Sequence, residues 1–323
     1  MCKLKSGIIL KDSVFVSDCD SHTDMLKELG IEDTRKNAER LFVRAELIPK
    51  NDDVFSDINE WTFRVDQDII PDWFVEEYEK QRMIEAVKEW AKNRIHIDKD
   101  NLKIKDGSGH YIKNCKNVQI CGSATVENVC DSATVENVCD SATVKYICGN
   151  ATVEYIYGNA TVENIYGNAT VENICGNATV KYICGNATVK NVYDSATVEN
   201  VCDSATVKYI YGNATVKNVY DSATVENVCG NATVENICGS ATVENICGSA
   251  TVKNVYDSAT VEKSKGRAVI ITSPNIKWKN QDKLLLLENS TLKDNYGKVI
   301  YQSGDMKLVA VTDGKIEMVG EGK

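Results

Sequence analysis

The chain has 323 residues, a formal net charge of -10 and 43% hydrophobic residues, room for more than one folded unit and enough apolar side chains to build a core. The acidic balance argues against nucleic acid as a partner, because a phosphate backbone is held by basic surface. The stretch "MCKLKSGIILKDSVFV" has an apolar patch too short for an export signal, and nowhere do about 20 apolar residues run together as a spanning helix requires. The expected location is therefore cytoplasmic, with no membrane partner and with the thirteen Cys as reduced thiols.

In chain order, residues 7–16 ("GIILKDSVFV") predict a strand pair, and Ser21 with Asp24 resembles a capping box opening a short helix to Leu29. "LFVRAELIP" (41–49) and "WTFRVDQ" (61–67) predict strands. Pro71 is expected to start a long helix with Met83, Ile84, Val87, Trp90 and Ala91 on one face. Residues 1–100 thus make an α+β domain, and 101–121 read as degenerate lead-in strands.

From residue 122 to 265 one nonapeptide recurs sixteen times without a gap, the mark of a repeat architecture. Position one is Gly or Asp, two is Ser or Asn, three to five are Ala-Thr-Val, and six is Glu or Lys. Seven is usually Asn or Tyr, eight is Val or Ile, and nine is Cys or Tyr. The first two positions carry turn chemistry and the Thr-Val pair carries strand chemistry, so each repeat predicts a turn plus a short strand. Alternation puts Ala124 and Val126 on one face and Thr125 and Glu127 on the other. The chain must bend near positions six and seven for position eight to point inward again. The repeats hold sixteen acidic residues against eight Lys, so most of the negative charge belongs to them.

Position six indicates how many repeats share a coil, because stacked neighbours favour opposite charges. Every second repeat gives Glu127, Lys145, Glu163, Lys181, Glu199, Lys217, Glu235, Lys253, a strict alternation. Two nonapeptides per 18-residue coil follow, making eight layers and a length of about 38 Å at about 4.8 Å per strand spacing. No Pro interrupts the array, so every amide can join the ladder. After it, "RAVIITS", "KLLLLEN", "GKVIYQS" and "MKLVAVT" predict strands of a C-terminal β cap over 266–323. The expected fold class is an α+β N-terminal domain followed by an all-β solenoid of parallel β-helix or β-roll type.

The repeats "GSATVENVC" and "GNATVENIY", the leader "SGIILKDSVFVSDCDSHTDML", the phrase "WTFRVDQDIIPDWFVEEYEKQRMIEAVKEWAK" and the tail "LLLLENSTLKDNYGKVIYQSGDMKLV" resemble a family of uncharacterised proteins from gut bacteria and their phages. The resemblance implies a prophage or mobile-element origin and carries no known activity with it.

No catalytic, cofactor-binding or metal-binding residue is assigned. Asp18, Asp20, His22 and Asp24 alternate like a metal loop, but "DCDSHTD" lacks the Gly and distal Glu of a calcium hand and reads as a solvated helix-capping turn. His96 and His110 have no Cys or His at ligand spacing. Calcium binding of the β-roll kind is not expected, because only six of the sixteen repeats carry Asp. Position nine mixes Cys with Tyr and so reads as a corner. Cys121 and Cys139, Cys130 and Cys148, Cys184 and Cys202, and Cys229 and Cys247 stack on the two-repeat coil. Aligned side chains in a reducing compartment lead one to expect no bridges.

These features point to a non-enzymatic structural or interaction protein: a rigid acidic rod bearing a small N-terminal recognition domain for an unknown protein partner. The alternatives are an ice-type surface of threonine columns, weakened by the charged residue beside each Thr, and an acidic DNA mimic, weakened by Lys at position six of six repeats.

Overall fold

The computed structural model describes residues 4–265 and 268–271, together with the strand backbones Leu284–Glu288, Thr291–Lys293, Val299–Gln302, Lys307–Thr312 and Lys315–Glu321. It divides into two compact units. The first comprises 1–97 and 107–113, and the second 98–106 and 114–323.

In the first unit, β1 (Lys5–Leu10) turns back into β2 (Val14–Phe15) through the predicted hairpin, with Ile8 opposite Phe15 and Ile9 opposite Val14. The strands β3 (Phe42–Ile48) and β4 (Thr62–Val65) complete an antiparallel sheet in the order β2-β1-β3-β4. Alternation along β1 and β3 supplies two cores. On one side Ile9, Val43, Ala45 and Leu47 pack with Met83, Ile84 and Val87 of α3 (Glu76–Arg94). On the other, Ile8 and Phe42 pack with Met25 and Leu26 of α1 (His22–Glu28) and with Ala38 of α2 (Arg35–Ala38). A Cβ on Gly7 would fall 2.6 Å from a methyl carbon of Met83, so glycine lets α3 approach the sheet.

Ser21 caps α1 by accepting the amide of Asp24, as the sequence predicts. Pro71 does not start the long helix. It opens a turn closed by the Phe74 amide on its carbonyl, and α3 begins at Glu76 after Val75, where three glutamates occupy the first turn. Acidic side chains there complement the helix dipole, a stronger start signal than a proline five residues upstream. The strands β5 (Ile95–Ile97) and β7 (His110–Lys113) pair in parallel within this unit, Ile95 opposite Tyr111.

The second unit is a parallel β-solenoid. Its lead-in strands β6 (Lys103–Ile104) and β8 (Val118–Ile120) pair Ile104 with Ile120, and β8 then pairs with Thr134–Val138 of the second repeat. Each later repeat gives one strand, usually positions four to eight, paired in register with the strand eighteen residues on: Val144 lies opposite Val126 and Val162, and Val153 opposite Val135 and Val171. Odd and even repeats therefore form two sheets, one on each side of the coil, and the 18-residue coil is the observed one.

The Ala of position three, the Val of five and the Val or Ile of eight are buried along the array, for example Ala160, Val162 and Ile165 at 0% exposure. Each fully buried Val or Ile contributes about 1.5–3 kcal/mol. Positions six and seven both face outward, and position six drops out of the paired register, which is the bend the pattern requires. Backbone donors are satisfied from coil to coil: Thr143 donates to Ala124, Cys148 to Val129 and Asn150 to Asp131, at 2.8–2.9 Å. The amide of position three closes a turn on the carbonyl of position nine, as Ala142 does on Cys139 at 3.1 Å and Ala196 on Tyr193 at 3.2 Å, and position one sits at positive φ throughout. That is the first central residue of a turn of type II′ kind, which explains Gly or Asp there.

The repeats are followed by Val269–Ile271 and Leu284–Glu288, which continue the two parallel sheets. Thr291–Lys293 is parallel to the former, and Val299–Gln302, Lys307–Thr312 and Lys315–Glu321 add antiparallel strands. The connections between these last strands lie outside the described residues. Among the described residues no helix is long and apolar enough to cross a membrane.

Candidate functional site

The alternating carboxylates of "DCDSHTD" do not converge. Asp18 receives both guanidinium arms of Arg94, at 2.8 and 2.7 Å, and the indole N–H of Trp90 at 3.1 Å. Burial works against its charge, but the hydrogen bonds from Arg94 and Trp90 and the charges of Arg94 and Lys5 outweigh it, so its carboxyl is held below the ordinary range. Asp20 takes the buried ammonium of Lys5 at 2.7 Å, which also lies over the Trp90 ring. Asp24 pairs with Lys27. Asp18 and Asp20 tie the leader of α1 to α3 and to the sheet, while the Asp24 pair lies within α1 itself.

His22 departs from the solvated turn that its neighbours suggest. Its side chain is one-tenth exposed, with Nε2 3.2 Å from the carbonyl oxygen of Ala45 and Nδ1 3.2 Å from Oδ2 of Asp66. A carbonyl only accepts, so Nε2 carries a hydrogen. Glu46, nearly buried on β3, is ion-paired with Arg64 directly across on β4, and polar atoms of His22, Glu46 and Asp66 lie within 4.8 Å of one another. Sequence reading missed this grouping because it depends on the β3–β4 register, which brings residues 24 and 44 positions downstream beside His22.

Next to it opens a groove of about 510 Å³ whose lining includes Asp33, Arg35, Arg44, Asp66, Gln67 and Asp68. Gln67 shapes the groove: it accepts the Arg44 amide and donates to the carbonyls of Phe42 and Ile69, at 2.9, 3.1 and 2.6 Å. Arg44 is ion-paired with Asp33 across the groove. Both signs of charge line this open, polar surface, which is built from non-repetitive sequence.

His96 and His110, which have no Cys or His at ligand spacing in the sequence, are stacked on each other. Their rings lie 5.5 Å apart at 16°, with Nε2 of His96 3.2 Å from Nδ1 of His110, both residues buried. Pairing of β5 with β7 closes the fourteen-residue separation, a contact no ligand spacing would reveal.

On the solenoid, position seven carries ladders of asparagine amides: Asn191 donates to Asn173 and to the Glu172 carbonyl, and Asn254 to Asn236 and the Glu235 carbonyl. Where Tyr replaces Asn, as at Tyr146, Tyr182 and Tyr209, the ring stands exposed. Position nine is a corner, and so it accommodates both buried Cys139 and exposed Tyr157. The expectation of unbridged cysteines is corrected at two corners. Cys184 is bonded to Cys202 and Cys229 to Cys247, because strand stacking brings their Cα atoms to 4.8 and 4.7 Å, inside the bridging range. The Asp carboxylates of position one are turn caps: Asp140, Asp194 and Asp257 accept the amides of Gly122, Gly176 and Gly239 one coil earlier.

The chain matches no protein-family model, no curated protein and no solved structure.

Proposed function

We propose that this is a non-enzymatic structural and interaction protein of phage or prophage origin, in which the acidic β-solenoid is the structural part and the first unit recognises a protein partner. The observation that carries the reading is how completely the repeat is used for stacking. Positions three, five and eight fill the core, one and two make the turn, six forms ion-pair ladders and seven forms amide ladders. A surface built of identical ladders offers little to distinguish one partner from another. The groove beside Arg35 and Asp68 supplies non-repeating shape and charge, the kind of surface on which recognition is built. The gut-bacterial and phage resemblance supports the origin.

The test is capture of binding proteins from the host by the immobilised full-length chain, by an Arg35→Glu/Asp68→Lys variant, and by a chain lacking four repeats. The groove variant is expected to lose the partner and the shortened chain to keep it. Retention by the groove variant together with loss by the shortened chain would move recognition to the solenoid.

A further inference from the structure

Four corners of the solenoid stack one cysteine over another eighteen residues on: Cys121 and Cys139, Cys130 and Cys148, Cys184 and Cys202, Cys229 and Cys247. They fall into two classes by the residue that follows the second cysteine. It is Asp140 or Asp203 in two cases and Gly149 or Gly248 in the others. In both aspartate cases, and in neither glycine case, two sulfurs and a carboxylate oxygen come within 4.8 Å of one another. The carboxylates are held in place: Oδ2 of Asp140 accepts the Gly122 amide at 2.9 Å and Oδ2 of Asp203 the Gly185 amide at 3.0 Å. Ligating carboxylates are ordinarily oriented by an outer hydrogen bond of this kind.

We propose that Cys121, Cys139 and Asp140 form a binding site for a soft divalent cation of the zinc class, and that Cys184, Cys202 and Asp203 form its copy once their bridge is reduced. Two thiolates and one carboxylate are three ligands of the types zinc takes in tetrahedral sites, leaving a fourth position for water. Sulfur donors select against magnesium and calcium, which prefer oxygen. Cys139 is buried, Cys121 half-buried and Asp140 exposed, so the cluster is anchored in the wall and open to solvent on one side. Burial, the hydrogen bond and charge of Cys139 and the charge of Asp140 push the Cys121 thiol up to about 12, against a smaller opposing effect of Lys105. The hydroxyl of Tyr157 hydrogen-bonds Cys139 from the next coil and is itself pushed up to about 12, adding no positive charge. A thiol ligates as the thiolate, so metal binding displaces thiol protons.

At the second cluster a water-soluble phosphine opens the bridge. Phosphorus is oxidised to phosphine oxide with oxygen from water, the sulfur–sulfur bond takes up two electrons, and the two protons of water complete two thiols. Cobalt(II), a spectroscopic stand-in for zinc, is then titrated into the phosphine-treated full-length chain, followed through its thiolate charge-transfer band and displaced with zinc. Two equivalents are expected. Cys139→Ser and Cys202→Ser should each remove one. Cys148→Ser and Cys247→Ser, at the glycine corners, should remove none. Asp140→Asn keeps an oxygen to cap Gly122 but loses the charge, and should weaken its site by at least about 10-fold while thermal melts stay close to the parent. The site is refuted if Cys247→Ser costs as much binding as Cys139→Ser, if Asp140→Asn titrates like the parent, or if no saturable binding occurs.

Discussion

The ammonium of Lys145 lies 2.7 Å from a carboxylate oxygen of Glu127, the residue directly beneath it in the preceding coil. The same bond recurs between Lys181 and Glu163, Lys217 and Glu199, and Lys253 and Glu235, and in the other sheet between Lys190 and Glu172. In every case the lysine reaches back toward the N-terminal coil. Replacing Lys181 by Glu would stack Glu163, a new glutamate and Glu199 in one column. Exposed pairs are worth about 0–1 kcal/mol, so the expected result is a small drop in melting temperature at low salt that shrinks as salt screens the column. A salt-independent drop would mean that something other than charge was lost.

Gly167 tests the corner. It sits at φ +71°, and a Cβ there would lie 3.2 Å from the Gly149 amide nitrogen. Alanine brings the left-handed penalty of about 1–2 kcal/mol with nothing in return. Aspartate brings the same Cβ but also a carboxylate able to accept the Gly149 amide, as Asp194 does from Gly176 at 3.2 Å. Gly167→Asp should therefore melt closer to the parent than Gly167→Ala, and the reverse order would show that the aspartates of position one are merely tolerated.

How much of this could be read from the residues follows from what each contact depends on. The coil was legible because Glu127 and Lys145 occupy one column of a strictly periodic chain, so a pattern in sequence is also a pattern in space. The hairpin at Ile8 and Phe15 and the Ser21 cap were legible because both are local. His22 beside Asp66, and His96 against His110, were not, since each depends on a strand register that no local signal announces. The Cys184–Cys202 stacking followed from the coil, but the bond depends on side-chain rotation at a corner, which the ladder leaves undetermined. The start of α3 was misplaced because Pro71 is compatible with a helix start and equally with the turn it makes.

Asp18 links the leader to α3 through Arg94 and Trp90 and is held below its ordinary value of 3.8. A carboxyl depressed in the folded state contributes stability that is fully present above its unfolded value and is lost as pH falls through the lower folded one. Asp18→Asn should accordingly destabilise the chain at neutral pH, and the gap between parent and variant should close as pH falls below about 4. Denaturation measured from pH 7 downward checks this. A gap that persists undiminished at low pH would assign the loss to packing rather than charge.

Equivalence of the two halves of the coil makes an unusual prediction about deletions. Removing nine residues, Gly158 to Tyr166, takes out one strand and one corner. Every remaining repeat still stacks on the one two places before it, and only two stacked pairs are new. Those pairs set Glu172 over Lys145 and Lys181 over Glu154, opposite charges in both, while Ala, Val and Ile meet their own kind in the core. Removing five residues, Thr161 to Ile165, deletes the strand alone. The corner residues left behind cannot span a side that five residues spanned at about 3.3 Å each. They must bulge outward and leave amides such as those of Tyr166 and Asn168, which bond to Ile147 and Gly149, without partners in the ladder. Solenoid stability is close to a sum over neighbouring layers, so the nine-residue deletion should melt within a few degrees of the parent and the shorter deletion distinctly lower. If the five-residue deletion proves the more stable of the two, the halves of the coil are not interchangeable.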